Sequence, residues 1–98
     1  MGSFWDWIRR GRPAASVQVS VILYARAGCH LCDDARQLLA EQQRQHTFTL
    51  NVVDVDSDSR LKRQHGERVP VIVINGKERF HGQVSRALLA RLLTHIVS

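Results

Sequence analysis

Cysteine, proline and long apolar runs are scarce in this chain, and each scarcity limits what the protein can be. Two cysteines and two prolines occur among 98 residues. No apolar run approaches the ~20 residues that a membrane-spanning helix requires. The N-terminus lacks a secretory signal pattern, because Arg9 and Arg10 follow a short aromatic cluster instead of preceding an apolar core. We therefore expect a cytoplasmic protein, in which two close cysteines are more often catalytic, redox-sensing or metal-binding than a structural staple.

Positive charge exceeds negative charge, with 14 Lys and Arg residues against 9 Asp and Glu and a formal net charge of +5. The basic residues are scattered, they are not interleaved with aromatic residues, and no nucleic-acid-binding motif accompanies them. We therefore expect no nucleic-acid partner, although a basic surface assists the approach of an acidic partner or ligand.

The length of the chain predicts one domain. Residues 1–16 are predicted to form an N-terminal extension, and residues 17–98 the domain itself. Residues 11–16 have the composition of a linker. The segment from Phe4 to Ile8 either packs on the domain, lies on a partner or membrane surface beside its arginines, or is disordered.

The two cysteines form one motif, Cys29-His30-Leu31-Cys32, at the junction of two predicted elements. The apolar run over residues 17–24 predicts a buried strand, and helical spacing follows it at Leu31, Ala35, Leu38 and Leu39. A helix N-terminus presents unpaired N–H groups and a partial positive charge, both of which favour a thiolate over a thiol. Because the thiolate is the reactive species, this arrangement predicts a thiol–disulfide redox site.

The rest of the chain alternates strands and helices. Strands are predicted over residues 47–54, 69–74 and 78–81, and helices over 31–45 and 84–97, with a short helix capped within 54–58 that runs to Gln64 before Gly66. Asn75-Gly76 predicts a two-residue hairpin turn, because both positions tolerate positive φ. The apolar signal of the second strand lies at Phe48, Leu50, Val52 and Val53, and that of the last helix at Val84, Leu88, Leu89, Leu92, Leu93 and Ile96.

These elements predict an α/β fold with the order β-α-β-α-β-β-α. A strand–helix–strand unit requires a parallel, right-handed crossover, whereas a two-residue hairpin requires an antiparallel pair. The result is a four-stranded mixed sheet flanked by three helices. The first and third strands are expected at its centre, because both are apolar on both faces.

Pro70 stands at the start of the third predicted strand, where a proline is unusual because it cannot donate to the sheet ladder. We predict a cis bond between Val69 and Pro70, since only X–Pro bonds adopt the cis form at low cost. Such a bond would turn the Val69 backbone toward the cysteines. Its N–H and C=O would then be free to pair with an incoming peptide or glutathione as a short added strand.

Over roughly residues 17–97 the chain resembles a glutaredoxin-like protein of the thioredoxin-fold superfamily, which implies a thioredoxin-like fold and dithiol chemistry. The resemblance is carried by Tyr24, Gly28-Cys29-His30-Leu31-Cys32, Arg68-Val69-Pro70-Val71-Ile72-Val73, Asn75-Gly76 and His81-Gly82. Typical glutaredoxins have Pro-Tyr between the cysteines, Thr before Val-Pro, and an Asp after a Gly-Gly pair that holds the γ-glutamyl end of glutathione. Here the corresponding residues are His30-Leu31, Arg68 and a stretch from His81 to Ser85 that lacks a carboxylate.

The resemblance also implies a role for each residue of the motif. Cys29 would attack a disulfide as the nucleophile, and Cys32, one turn into the helix, would resolve the mixed disulfide. A protonated His30 would stabilise the thiolate, as would Arg26 if it lies close, whereas Asp33 and Asp34 would oppose it. The residues implied to bind substrate are His30, Leu31, Arg68, Val69, Pro70 and Gly82.

The expected partners follow from the same resemblance. They are disulfide-containing protein substrates and an electron donor, which is either glutathione or a thioredoxin-reductase-type protein. No tightly bound cofactor is expected, with glutathione a candidate co-substrate, and the protein is expected to be a monomer.

Two other classes of function remain open at this point. A binding module could hold zinc or copper with two thiolates, or share an iron–sulfur cluster in a dimer. Two cysteines supply half of a tetrahedral site, and neither a second CxxC nor a paired His motif completes it. A docking protein could instead contact its partner through Trp5 and Trp7 and use the dithiol as a redox switch.

Overall fold

The computed structural model describes residues 18–97. The predicted N-terminal extension and linker lie outside the described residues, together with Val17 and Ser98. Within the described range, four strands and three helices follow in the predicted order: β1 (Ser20–Ala25), α1 (His30–Gln43), β2 (Thr49–Asp54), α2 (Ser59–His65), β3 (Val71–Ile74), β4 (Lys77–His81) and α3 (Arg86–Val97). A 3-10 turn, Val55–Ser57, joins β2 to α2.

The strands form a single mixed sheet in the order β2-β1-β3-β4. β1 runs parallel to β2, which it reaches through the α1 crossover, and antiparallel to β3, which in turn pairs antiparallel with β4. The predicted central position of the first and third strands is therefore confirmed. The β3–β4 connection is the predicted Asn75-Gly76 turn, with φ of 51° and 82° at the two residues. Asn75 also ties the turn to β1, because its side-chain oxygen accepts from the Ser20 N–H at 2.9 Å.

One face of the sheet carries the main core. α1 and α3 both cover this face, since Leu39 of α1 and Leu89 and Leu93 of α3 are fully buried with Leu23 of β1. Alternation along β1 points Tyr24 to the opposite face, where its ring stacks on His65 at the end of α2 with centroids 4.3 Å apart. None of the helices within residues 18–97 combines the length and the apolar character that a membrane span requires.

The ends of the elements differ from the predicted ends. β1, β2 and β3 each begin later than predicted, and α1 ends at Gln43 instead of residue 45. Val19 and Phe48 are buried although they precede the paired segments. The apolar pattern reports burial and not strand pairing, so it extends past the strand ends.

Three apolar residues that belong to these patterns are exposed: Leu31 at 39%, Val52 at 43% and Leu88, which was predicted to face inward, at 52%. Leu31 and Leu88 lie in the first turns of α1 and α3, at the edge of the packed layer, and Val52 lies on the edge strand β2. Helical or strand spacing gives the side of an element on which a residue lies, but burial also requires a neighbour opposite that residue.

The short helix α2 begins as predicted, since the Asp58 side chain accepts from the N–H of Arg60 at 2.7 Å. It ends at His65, and Gly66 is its C-cap residue. Gly66 has φ of −54°, a right-handed conformation that any residue can adopt, so the backbone conformation does not explain the glycine. A Cβ at this position would lie 2.5 Å from the Lys62 carbonyl oxygen, which makes glycine a packing requirement here.

Candidate active site

Cys29 and Cys32 occupy unequal positions at the start of α1. Cys29 is the N-cap residue, with an extended backbone (φ −102°, ψ 110°), and its sulfur accepts from the Cys32 N–H at 3.1 Å. The two cysteines form a disulfide with their Cα atoms 5.1 Å apart. Cys32 is 1% exposed and belongs to the core, whereas Cys29 is half-buried at the surface. Cys29 is therefore the more exposed residue of the pair.

A sharp turn after β1 brings Cys29 into the N-cap position. The strand ends at Ala25, and Gly28 adopts φ of +76°, which a residue with a side chain rarely adopts. The helix then begins at once, because the Asp33 N–H donates to the Cys29 carbonyl at 3.1 Å. The free N–H groups of the first helical turn are thereby oriented toward the Cys29 sulfur.

The Val69-Pro70 segment reaches the same edge of the sheet as the cysteines. β1 and β3 are antiparallel with Tyr24 opposite Val71, so the end of β1 lies beside the start of β3. The Val69–Pro70 peptide bond is cis, Pro70 is buried, and both Val69 and Cys29 pack against the core. Among residues 18–97, neither the N–H nor the C=O of Val69 has a hydrogen-bond partner.

Gly82 fixes the two peptide carbonyls on either side of Val69. Its N–H donates to the Pro70 carbonyl at 2.8 Å and to the Arg68 carbonyl at 3.2 Å. Gly82 itself has φ of +75°, a conformation that favours glycine. The backbone around Val69 is therefore held from the β4 side, while the Val69 N–H and C=O stay unpaired within residues 18–97.

Arg68 is bound to a carboxylate on β4. Its Nη1 donates to Glu78 Oε1 at 3.0 Å, its Nη2 donates to the other carboxylate oxygen, and Nη2 also lies 3.3 Å from His81 Nδ1. The hydrogen bond from Arg68 holds the pKa of Glu78 below its ordinary value. Arg68 therefore presents an ion pair at the rim of the site and not an isolated positive charge.

The expectation that Arg26 stabilises the Cys29 thiolate is not supported by its contacts. All three guanidinium nitrogens donate elsewhere: Nη2 and Nε to the two Asp56 oxygens at 2.7 and 3.2 Å, and Nη1 to the Gly66 carbonyl at 2.8 Å. The hydrogen bonds between Arg26 and Asp56 lower the pKa of Asp56 and raise that of Arg26. No local sequence pattern signals this contact, because the partners lie 30 and 40 residues away.

Comparison with known proteins decides the family. A sequence profile of the glutaredoxin-like domain (DUF836) matches residues 20–94. The chain belongs to the glutaredoxin-like domain family. An uncharacterized protein of Mycobacterium tuberculosis is 32% identical over 80 residues, which cover 72% of this chain and 82% of that protein.

Solved structures share the fold. The X-ray structure of protein XcR50 from X. campestris is 32% identical, with a TM-score of 0.64, and the match covers 76% of this chain and 96% of that one. A mutant thioredoxin from Halobacterium salinarum has a TM-score of 0.66 at 19% identity, and the match covers 87% of this chain and 80% of that one. The second likeness shows the thioredoxin-like fold. The family, the fold and the paired cysteines together support a thiol-based redox activity in general.

The predicted site residues of this glutaredoxin-like domain cluster at one edge of the sheet. His30 and Leu31 are exposed between the cysteines, whereas Arg68, Val69 and Pro70 lead into β3 and Gly82 is hydrogen-bonded to this segment. No local sequence pattern predicts Glu78, which pairs with Arg68. The Asn-Gly signal predicts the β3–β4 hairpin but not the bulge within it, which sets Val73 opposite Glu78 and changes the register along β4.

A pocket of about 290 Å³ lies beside the cysteines on the β2 side. It is lined by residues 25–28 of the turn and by Asp33, Arg36, Val52 and Asp54. Cys29 is not among the lining residues, so the pocket adjoins the disulfide without containing it. Among residues 18–97, no group of three or more His, Cys, Asp or Glu side chains is placed to hold a metal ion.

Proposed function

We propose that this protein is a thiol–disulfide oxidoreductase whose Cys29-Cys32 pair reduces protein disulfides or glutathione mixed disulfides. One observation carries the proposal. A half-buried cysteine at a helix N-terminus is paired with a fully buried one, at the sheet edge where the Val69 backbone is unpaired within the described part of the chain. This asymmetry suits a pair in which one sulfur meets the substrate and the other acts afterwards.

The reaction begins with the reduced protein. The Cys29 thiolate attacks one sulfur of the substrate disulfide, and the other sulfur leaves as a thiolate that takes up a proton. The product is a mixed disulfide between Cys29 and the substrate. Cys32 then loses its proton and attacks the Cys29 sulfur, which releases the second substrate thiol and leaves the protein disulfide. Two electrons pass from the dithiol to the substrate, and an external thiol or reductase must return them.

The helix N-terminus supplies the stabilisation that the first step needs. The Cys32 N–H donates to the Cys29 sulfur, and a charge-assisted hydrogen bond is stronger than one to a neutral thiol. The partial positive charge of the helix end acts in the same direction. His30 is the first residue of α1 and directly follows Cys29, and its imidazolium form would add to this effect.

The substrate is aligned by backbone pairing with Val69. Its N–H and C=O, which have no partner among residues 18–97, can accept an extended peptide in the manner of an added strand. Leu31 offers an exposed apolar contact, and the Arg68–Glu78 ion pair offers a polar one at the rim. Gly82 adds no side chain to the segment that faces the peptide.

The electron donor of this proposal is a thioredoxin-reductase-type protein in preference to glutathione. The stretch from His81 to Ser85 contains no carboxylate to hold a γ-glutamyl amine. Ser85 does carry a hydroxyl there, but its oxygen accepts from the Leu88 N–H at 3.2 Å and caps α3. Arg68, which replaces the usual threonine, is paired with Glu78.

The test is mass spectrometry of the full-length protein equilibrated across glutathione redox buffers. We expect a reversible intramolecular disulfide in the wild type. In Cys32→Ser, a glutathione adduct on Cys29 supports glutathione as donor, whereas its absence supports the reductase-type donor and protein disulfides as the substrates. Cys29→Ser is the matched control and should form no adduct on the buried Cys32. The complete absence of a disulfide in the wild type would overturn the proposed function.

The metal-binding alternative is tested on protein purified without oxygen. Zinc, copper or iron bound in stoichiometric amount, and lost in the Cys29→Ser variant, would favour the binding module. An oxidoreductase of the proposed kind should carry no more than traces of these metals.

A further inference from the structure

One guanidinium connects the loop that carries Cys29 to the segment that carries Val69. Arg26 is the first residue after β1 and precedes Cys29 by three positions. Its Nη2 and Nε bind the two oxygens of Asp56, in the 3-10 turn after β2, and its Nη1 donates to the Gly66 carbonyl at the end of α2. Three chain segments that are distant in sequence therefore meet at one side chain.

The contact at Gly66 leads directly into the substrate-facing segment. Gly66 is three residues before Val69, and the turn between them is closed by the Arg68 N–H, which donates to the His65 carbonyl at 2.8 Å. The Gly66 N–H is bound in turn to the Lys62 carbonyl at 2.9 Å. Gly66 is therefore linked to Val69 by a short, hydrogen-bonded turn.

Position 66, whose carbonyl accepts from Arg26, requires glycine because of the preceding helical turn and not because of the arginine. A Cβ built on Gly66 would lie 3.5 Å from Arg26 Nη1 and 2.5 Å from the Lys62 carbonyl oxygen. Gly66 is buried and has an ordinary right-handed φ of −54°, so its backbone conformation does not itself require glycine. The close approach of the Lys62 carbonyl, one helical turn earlier, does require it.

We propose that Arg26 is a positioning residue that sets the separation between the Cys29 sulfur and the Val69 backbone, and so governs how a bound disulfide is aligned for attack. This inference rests on the proposed function and adds to it a residue outside the CxxC and Val-Pro motifs. Arg26 acts through Gly66 and Asp56 and does not itself need to touch the reacting sulfurs.

The Arg26–Asp56 ion pair stabilises the fold too little for stability to be its main role. The Arg26 and Asp56 side chains are 30% and 38% exposed, and ion pairs at such sites add little stability. What the contact supplies is geometry, because a planar guanidinium can bind two carboxylate oxygens and a carbonyl at fixed angles. A lysine ammonium at the same position keeps the charge but cannot reproduce this fork.

The test compares two reactions of the pre-reduced, full-length protein. The first is single-turnover reduction of a synthetic peptide with one disulfide, measured against peptide concentration, which gives a half-saturation concentration and a limiting rate. The second is alkylation of Cys29 by iodoacetamide in the Cys32→Ser background, which needs the thiolate but no alignment on Val69. The variants are Arg26→Ala, Arg26→Lys and Asp56→Asn, with thermal unfolding recorded for each.

Arg86→Ala is the matched control, because Arg86 forms a comparable exposed ion pair with Glu41 at 2.6 Å that joins α3 to α1 and has no part in the site. We expect Arg26→Ala and Arg26→Lys to lower the ratio of limiting rate to half-saturation concentration by about tenfold. Small misplacements of the reacting atoms slow the reaction strongly. The iodoacetamide rates of both variants should stay close to wild type. Asp56→Asn should show a smaller loss in peptide reduction. Arg86→Ala should leave both peptide reduction and alkylation unchanged.

Other results would overturn this role. Equal losses in peptide reduction and in alkylation would mean that Arg26 acts on the thiolate itself. Wild-type behaviour of Arg26→Lys would mean that charge is sufficient and geometry is not required. If the wild-type protein reduces no peptide, the proposed function fails as well, whereas an active wild type with unaffected Arg26 variants refutes the role of Arg26 alone.

Discussion

The difference in burial between the two cysteines predicts a large difference in their native reactivity. The relevant variants are Cys32→Ser, which leaves only the Cys29 thiol, and Cys29→Ser, which leaves only the Cys32 thiol. Cys29 is half-buried at the helix N-terminus, whereas Cys32 is 1% exposed within the core. A small alkylating reagent can reach Cys29 directly, but it can reach Cys32 only when the surrounding structure opens.

The expected ratio of the Cys29 and Cys32 alkylation rates follows from the free energy of the local opening that exposes Cys32. Cys32 packs in the same cluster as the fully buried Leu39 and Leu89, so its exposure requires α1 to move away from the core. An opening that costs about 3 kcal/mol protects the thiol about a hundredfold, since each 1.4 kcal/mol is a factor of ten. Any stabilisation of the Cys29 thiolate by the helix end widens the ratio further.

The assay is intact-mass spectrometry of each variant during reaction with excess iodoacetamide, first in buffer and then in concentrated guanidinium chloride. In buffer, Cys29 should react about a hundredfold faster than Cys32 by the same opening argument. In denaturant the two rates should converge, which controls for intrinsic thiol reactivity. Comparable native rates, or a faster Cys32, would refute the assignment of Cys29 as the attacking sulfur.

Three further predictions concern the scaffold and its ionisable groups. Leu93→Ala should destabilise the fold by about 2–5 kcal/mol in urea unfolding because Leu93 is fully buried, whereas Leu88→Ala, at a 52% exposed position of the same helix, should lie within about 0.5 kcal/mol of wild type. Gly76→Ala should cost about 1–2 kcal/mol in the same measurement, since φ is +82° there; no loss would contradict the turn geometry. The depressed pKa of Glu78, caused by the Arg68 hydrogen bond, means that its ionised form stabilises the fold above the ordinary carboxyl pKa and that this contribution is lost as the pH falls through the lowered value. The stability difference between Glu78→Gln and wild type should therefore be present at neutral pH and shrink in acid, and a difference that persists in acid would show that the Arg68 hydrogen bond is not its cause.

Local patterns were sufficient for the order of the elements and for the hairpin. Asn75-Gly76 has few backbone alternatives, because consecutive residues with positive φ are rarely tolerated elsewhere, and the turn is found at the predicted position. The CxxC motif likewise lies where strand periodicity changes to helical periodicity. The ends of strands were less predictable, since Val19 and Phe48 are apolar for reasons of burial without being paired.

Residues that are close together in the chain were enough to predict the family, the succession of strands and helices, and the position of both cysteines at a helix N-terminus. The side chains that meet around the site depend instead on tertiary contacts. Arg26 reaches Asp56 and Gly66, and Arg68 reaches Glu78, across separations that local periodicity does not encode. The exposure of Leu31 beside the cysteines has the same origin, because burial depends on what packs opposite a residue, and that neighbour comes from a distant part of the chain.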